Sequence, residues 1–200
     1  MLRLRKIAVT GGLACGKSSV CRFLKELGAY VVSADDIVHQ LLSPNTTLGR
    51  QVIQLLGAEI VVNGQIDRLQ IAQKVFNHTH TLQTLESLLH PAVYAEIERH
   101  YQEALTIRLM PPLFVAEIPL LFETKKESDF DAVIVVMAPD ALCKQRFQET
   151  KKGNGDEYTR RAQQQMSVEE KAERATYIIH NNGTLAELQQ KVQEIFKQLR

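Results

Sequence analysis

The chain has 200 residues, 44% hydrophobic and 24% charged, which is enough to bury a full core and suits one domain better than two. A formal net charge of +1 gives no general pull toward nucleic acid or an anionic membrane, and no apolar stretch is long enough to span a bilayer. The cysteines, Cys15, Cys21 and Cys143, form no C-x-x-C pair, so neither a disulfide framework nor a zinc site is expected.

The opening "MLRLRKIAVTGG" runs without an apolar signal segment into a glycine-rich turn, and the expected location is the cytoplasm. Residues 5–10 read as a strand. From Ser18, Val20, Phe23, Leu24 and Leu27 recur at helical spacing before Gly28, completing a β-loop-α unit. "AYVVS" predicts a second strand, "DDIVHQLL" a helix ended by Ser43-Pro44, and "TTLGRQVIQLLG" another helix. Asn63-Gly64 in "EIVVNGQID" signals either a hairpin or a turn between helices. A helical region follows from about Arg68 to Arg108, with breaks expected near Asn77 and at His90-Pro91. "LFVAEI", "AVIVVM" and "TYIIH" predict three buried strands, and the pairs Ser167 with Glu170 and Thr184 with Glu187 are spaced as capping boxes. The alternation implies an α/β fold of about five parallel strands flanked by helices, interrupted by a mostly helical stretch from about 57 to 110.

The turn itself is "VTGGLACGKSS". Gly11 to Gly16 followed by Lys17 and Ser18 fits the G-x-x-x-x-G-K-[S/T] phosphate loop. Glycines let successive N–H groups converge on one concavity, the next helix adds the positive end of its dipole, Lys17 can reach the β and γ phosphates, and Ser18 can ligand Mg2+. The residues expected to carry ATP here are Gly12, Leu13, Ala14, Cys15, Gly16, Lys17, Ser18 and Ser19. Cys15 occupies a free position of the motif; it is either filler or a thiol whose pKa the anion-binding nest lowers.

Guanine-specific Asn-Lys-x-Asp and the switch pattern Asp-x-x-Gly are both absent, and the strand that might carry an ATPase aspartate, "LFVAE", offers only Glu117. A small-molecule kinase needs instead a carboxylate near the γ-phosphate, an acceptor pocket and mobile cations. Asp35 and Asp36 follow the second strand, whose C-terminal end is expected beside the phosphate loop; either could be that carboxylate or a helix-capping residue. The helical insertion carries Arg68 and His90, each readable as an acceptor contact or as a residue satisfied at a helix end. "CKQRFQETKKGNGDEYTRR" is a charged helix pair around Gly153-Asn154-Gly155, either a solvated surface or a lid over about 145–165. In "PLLFE", Glu123 reads as a structural ion-pair partner.

From the phosphate loop through "SADDIVHQ", "GQIDRLQIAQKVF", "LESLLHPAV", "EIPLLFE", "RRAQQQMSVEEKAERA" and "YIIHNNGTLAEL", the chain resembles the dephospho-coenzyme A kinase family nearly end to end. The resemblance implies a three-layer P-loop kinase fold, a single domain over 1–200 with a helical acceptor-binding insertion and a lid. The implied activity is Mg2+- and ATP-dependent phosphorylation of the ribose 3′-hydroxyl of dephospho-coenzyme A. It also implies Asp35 as general base, Arg68 and His90 on the acceptor side, Arg146 and Arg161 in the lid over the triphosphate, and Asn182 and Gly183 near the nucleotide base. The expected partners are ATP and dephospho-coenzyme A, without nucleic acid or membrane, in a monomer or weak homo-oligomer. The sequence departs from the family pattern at Ser33, at Thr150 or Lys151, at Thr176 and at His180, departures that leave Lys17, Ser18 and Asp35 intact.

Overall fold

The computed structural model describes residues 4–75, 78–151 and 155–200, with the backbone alone at Thr150 and Lys151. Strand β1 (Arg5–Gly11) leads into helix α1 (Lys17–Glu26), β2 (Tyr30–Ser33), α2 (Ala34–Leu41) and α3 (Thr47–Leu56). The short strands β3 (Val61–Val62) and β4 (Gln65–Ile66) precede α4 (Arg68–Val75) and the long α5 (Thr79–Thr106). Then come β5 (Leu113–Glu117), β6 (Ala132–Met137), α6 (Asp140–Lys151), α7 (Gly155–Gln163), α8 (Val168–Glu173), β7 (Tyr177–His180) and α9 (Leu185–Leu199). The main sheet has five strands in the order β2-β5-β1-β6-β7, all paired parallel.

The chain divides into two compact units, Met1–Ser33 with Tyr101–Arg200, and Ala34–His100. The first contains the sheet. Ile7, Val9, Leu113, Val115, Ile134 and Val136 line one face of the sheet, where Val20, Leu24, Val192 and Leu199 of α1 and α9 pack into the same cluster, and the alternate residues Ala8, Thr10, Phe114, Ala116, Val133 and Val135 are buried on the other face, as a parallel sheet covered by helices requires. Tyr101 closes one end, its hydroxyl donating to the Leu4 carbonyl at 2.8 Å. Both capping boxes form: Ser167 and Thr184 each accept from the backbone N–H three residues on, while Glu170 and Glu187 reach back to the cap.

The second unit packs Leu42, Leu48, Val52, Leu56, Ile60, Ile66, Ile71 and Leu85 into its own cluster. Of the two readings of Asn63-Gly64, the hairpin is the one found. Val62 faces Gln65 across a two-residue loop in which Asn63 has φ 52° and Gly64 φ 76°, the double left-handed conformation of a tight hairpin turn. The break expected at His90-Pro91 does not occur, and α5 runs through Pro91 from Thr79 to Thr106. Leu85, Val93 and Ile97 stay buried in helical phase on both sides of the proline. That continuous apolar stripe offsets the roughly 3 kcal/mol of a missing N–H and a crowded ring. The break expected near Asn77 falls on residues outside those described, between the end of α4 and the start of α5.

Candidate active site

The phosphate loop joins β1 to α1, and its glycines answer specific close approaches. Gly11 lies in register with Val136 of β6, has φ 141°, and a Cβ there would sit 2.0 Å from the Val136 carbonyl oxygen. Gly16 precedes the first residue of α1 with φ 100°, and a Cβ there would sit 2.2 Å from Asn181 Nδ2. Between them Ala14 takes a left-handed φ of 57°, an alternation of handedness that turns successive N–H groups toward one concavity at the positive end of α1.

Lys17 is 9% exposed and folds back over this loop, Nζ donating to the Gly12 carbonyl at 2.8 Å and the Gly11 carbonyl at 3.3 Å. Ser18 Oγ donates to Glu117 Oε1 at 2.9 Å. Glu117 ends β5, and β5 stands between β1 and β2. The strands beside the phosphate-loop strand are therefore β5 and β6, not the second strand of the chain as the sequence suggested, and Glu117, weighed from sequence only as an ATPase carboxylate, is the one that meets Ser18. A serine hydroxyl and one carboxylate are hard oxygen donors of the kind that hold Mg2+ together with substrate phosphates. Among the described residues, no group of three or more His, Cys, Asp or Glu could form an all-protein metal cage.

Asn181, directly after β7, fastens the loop from the other side. Its N–H donates to the Met137 carbonyl at 2.8 Å, and Nδ2 donates to the Cys15 carbonyl at 2.9 Å. Asn181 is buried, whereas Asn182 and Gly183 are exposed. Arg146 of α6 donates to the Asn181 carbonyl at 3.2 Å. Cys15 and Cys143 of α6 share a buried sulfur–sulfur hydrogen bond at 3.0 Å. That bond holds the Cys15 thiol down to about 7 against burial, with the Ala138 backbone and Lys17 assisting, and pushes Cys143 in the opposite direction.

The expected charged helix pair is α6 and α7, although residues 152–154 and the side chains of Thr150 and Lys151 lie outside those described. Its base is packed. Phe147 and Tyr158 meet edge to face at 5.7 Å, and the Tyr158 hydroxyl donates to Asp140 Oδ1 at 2.7 Å, so burial and that carboxylate push the phenol up. Arg161 pairs with Glu157 at 2.6 Å and lies 5.9 Å from the centre of the Phe147 ring.

Glu123 is the ion-pair partner its sequence context suggested. Lys171 of α8, 0% exposed, donates to Glu123 Oε1 at 2.8 Å and to the Pro119 carbonyl at 2.9 Å. Thr10 Oγ1 donates to the same Pro119 carbonyl at 3.2 Å, so this buried lysine braces the segment between Glu117 and Glu123 against the end of β1.

In the second unit, Asp35 and Asp36 are both exposed in the first turn of α2. Arg68 begins α4 behind Asp67, whose Oδ1 accepts from the Leu69 N–H at 2.7 Å, and Arg68 Nη2 donates to the Asp35 carbonyl at 3.0 Å. The structure thus brings Arg68 to Asp35. His90 is half-buried within α5. Two departures from the family pattern have local structural partners. Thr176 Oγ1 accepts from the Val133 N–H at 3.0 Å, and the His180 carbonyl accepts from Lys191 Nζ at 2.7 Å.

Comparisons with known proteins agree with one another. A family model for dephospho-CoA kinase matches residues 5–187. A dephospho-CoA kinase of Protochlamydia amoebophila is 49% identical over 200 residues, spanning 100% of this chain and 98% of the relative. The crystal structure of a Thermus thermophilus protein matches with a TM-score of 0.84 at 29% identity, over 100% of both chains. A dephospho-CoA kinase from Campylobacter jejuni matches with a TM-score of 0.69 at 28% identity, over 97% of this chain and 96% of its own. This chain belongs to the dephospho-CoA kinase family.

Proposed function

We propose that this protein transfers the γ-phosphoryl group of ATP to the ribose 3′-hydroxyl of dephospho-coenzyme A, giving coenzyme A. The observation that carries the reading is a built phosphate loop, with Lys17 and the Ser18–Glu117 pair at its mouth, in a chain of the dephospho-CoA kinase family.

The loop N–H groups from Gly12 to Ser19 cradle the phosphates, and Lys17 exchanges its carbonyl partners on Gly11 and Gly12 for β- and γ-phosphate oxygens. Ser18, supported by Glu117, would hold Mg2+, which would supply positive charge to the triphosphate. Asp35 orients the 3′-hydroxyl and takes its proton as the oxygen bonds to the γ-phosphorus and the bond to the ADP oxygen breaks. Arg68, already bonded to the Asp35 carbonyl, and His90 bind the acceptor. Arg146 and Arg161 cover the triphosphate, and Asn182 lies near the base.

The segment of about 57–110 then serves as acceptor-binding insertion and about 145–165 as lid; the compactness of Ala34–His100, which holds Asp35, Arg68 and His90, supports a separate acceptor unit. No helix among the described residues is long and apolar enough to cross a membrane; the proposed location is the cytoplasm and the proposed state a monomer or weak homo-oligomer. Thermal protection tests the acceptor class. Dephospho-coenzyme A raises the melting temperature in the presence of a non-hydrolysable ATP analogue; protection by a nucleoside or sugar acid and not by dephospho-coenzyme A contradicts the assignment.

A further inference from the structure

Two of the three cysteines of this chain, far apart in sequence, meet inside the first unit. Cys15 is in the phosphate loop, Cys143 is in the first turns of α6, and their sulfur atoms are 3.0 Å apart. Both are free thiols, with relative exposures of 2% and 1%. A disulfide places its sulfurs about 2.05 Å apart, so a closure of about 1 Å separates this pair from bonding length. The surroundings direct both sulfurs inward. A Cβ on Gly12 would lie 2.7 Å from Cys15 Sγ, and Cys143 Sγ is 3.6 Å from the Ala138 carbonyl.

We propose that Cys15 and Cys143 are a reversible oxidation site, at which a disulfide cross-links the phosphate loop to α6 and switches nucleotide binding off. The oxidant is a peroxide. Cys15 thiolate attacks one oxygen of hydrogen peroxide, the O–O bond breaks, and with one proton taken up the products are water and Cys15 sulfenic acid. Cys143 sulfur then attacks Cys15 sulfur. The S–O bond breaks, the Cys143 proton joins the departing hydroxide, and a second water leaves. Two thiols have lost two electrons, and peroxide has gained them. A thiol held down to about 7 by its hydrogen bond from Cys143 supplies the thiolate near neutral pH.

The consequence follows from what each sulfur is attached to. The Cys15 carbonyl is held by Asn181, and Arg146, one turn after Cys143 on α6, is bonded to the Asn181 carbonyl. The cross-link fixes loop, α6 and the Asn181 segment as one body and pulls the residue between Ala14 and Gly16 away from the phosphate concavity. Cys21 lies on α1, buried at 5% exposure and outside the Cys15–Cys143 pair.

The test is hydrogen peroxide applied to the full chain, followed by alkylation in denaturant, peptide mapping by mass, and titration with a fluorescent ATP analogue. The expected result is a Cys15–Cys143 linked peptide, an unmodified Cys21, ATP-analogue affinity at least tenfold weaker, and recovery with dithiothreitol. In Cys143→Ala, or in Cys143→Ser should alanine loosen the core, the linked peptide and the dithiothreitol-reversible part of the loss both disappear. A mapped disulfide that leaves affinity unchanged, the absence of that linkage, oxidation at Cys21, or a reversible loss that persists without Cys143 overturns the proposal. The readout is nucleotide affinity and linkage, so it stands apart from the identity of the phosphoryl acceptor.

Discussion

Ser18 and Glu117 are joined by a 2.9 Å hydrogen bond that ties the first turn of α1 to the end of β5. The serine belongs to the phosphate-loop motif, and the glutamate comes from the adjoining strand, so the pair proposed to hold Mg2+ is assembled by sheet order and not by proximity in sequence. Glu117→Gln keeps the shape and loses the charge. It is expected to raise the Mg2+ concentration for half-maximal activity by about tenfold and to lower kcat, because Mg2+ is held through carboxylates together with phosphates. Activity measured across a Mg2+ titration checks this; an unchanged Mg2+ dependence with an unchanged melting temperature would remove Glu117 from the metal site.

Lys17 is a buried ammonium resting on two carbonyls, Gly11 and Gly12, that phosphate oxygens can replace. Lys17→Ala removes a charge that follows the phosphoryl group into the transition state, a loss of several kcal/mol of barrier or roughly a thousandfold in rate. Circular dichroism should be unchanged. Retained activity in a folded variant would mean that the loop is not the catalytic cradle.

Asp35 and Asp36 share the first turn of α2, and one pair of variants separates base from helix terminus. Asp35→Asn should lower kcat by roughly 10²- to 10⁴-fold with little change in ATP affinity. Asp36→Asn should cost at most about 1 kcal/mol of stability, the scale of a carboxylate at a helix N-terminus. Loss of turnover in Asp36→Asn, with Asp35→Asn merely less stable, reverses the roles.

Lys171 is fully buried against Glu123 Oε1 and the Pro119 carbonyl; Glu123 Oε1 also accepts from the Met166 N–H at 2.9 Å, and the buried Oε2 has no hydrogen-bond partner among the described residues. Lys171→Met fills similar volume but leaves the carboxylate without its counter-charge, a change expected to destabilise by about 3–5 kcal/mol. The double variant Lys171→Met with Glu123→Leu should recover much of that loss. Denaturant midpoints measure both, and a single variant as stable as the parent would assign the pair no structural part.

The strands were legible because "LFVAE", "AVIVVM" and the run before Gly11 are short, apolar and rich in β-branched residues, and both capping boxes were legible from spacing alone. The phosphate loop was legible because its backbone geometry demands glycines at fixed offsets. Pro91 misled, since a local rule for proline was overridden by an apolar stripe continuing through α5. Glu117 was weighed only as an ATPase carboxylate, and Asn181 and Cys143 were given no place in the site. Each reaches the loop across the sheet, and one sequence does not state that β5 enters between β1 and β2 or that the residue after β7 caps the loop from the far side.

The most direct measurement of the central claim is an assay with ATP, Mg2+ and dephospho-coenzyme A in which the product is identified by mass and the phosphate position by fragmentation. The account predicts coenzyme A phosphorylated at the ribose 3′-oxygen with stoichiometric ADP, and binding without turnover for an analogue lacking the 3′-hydroxyl. Phosphate at another position, or ATP hydrolysis at the same rate with and without dephospho-coenzyme A, would contradict it.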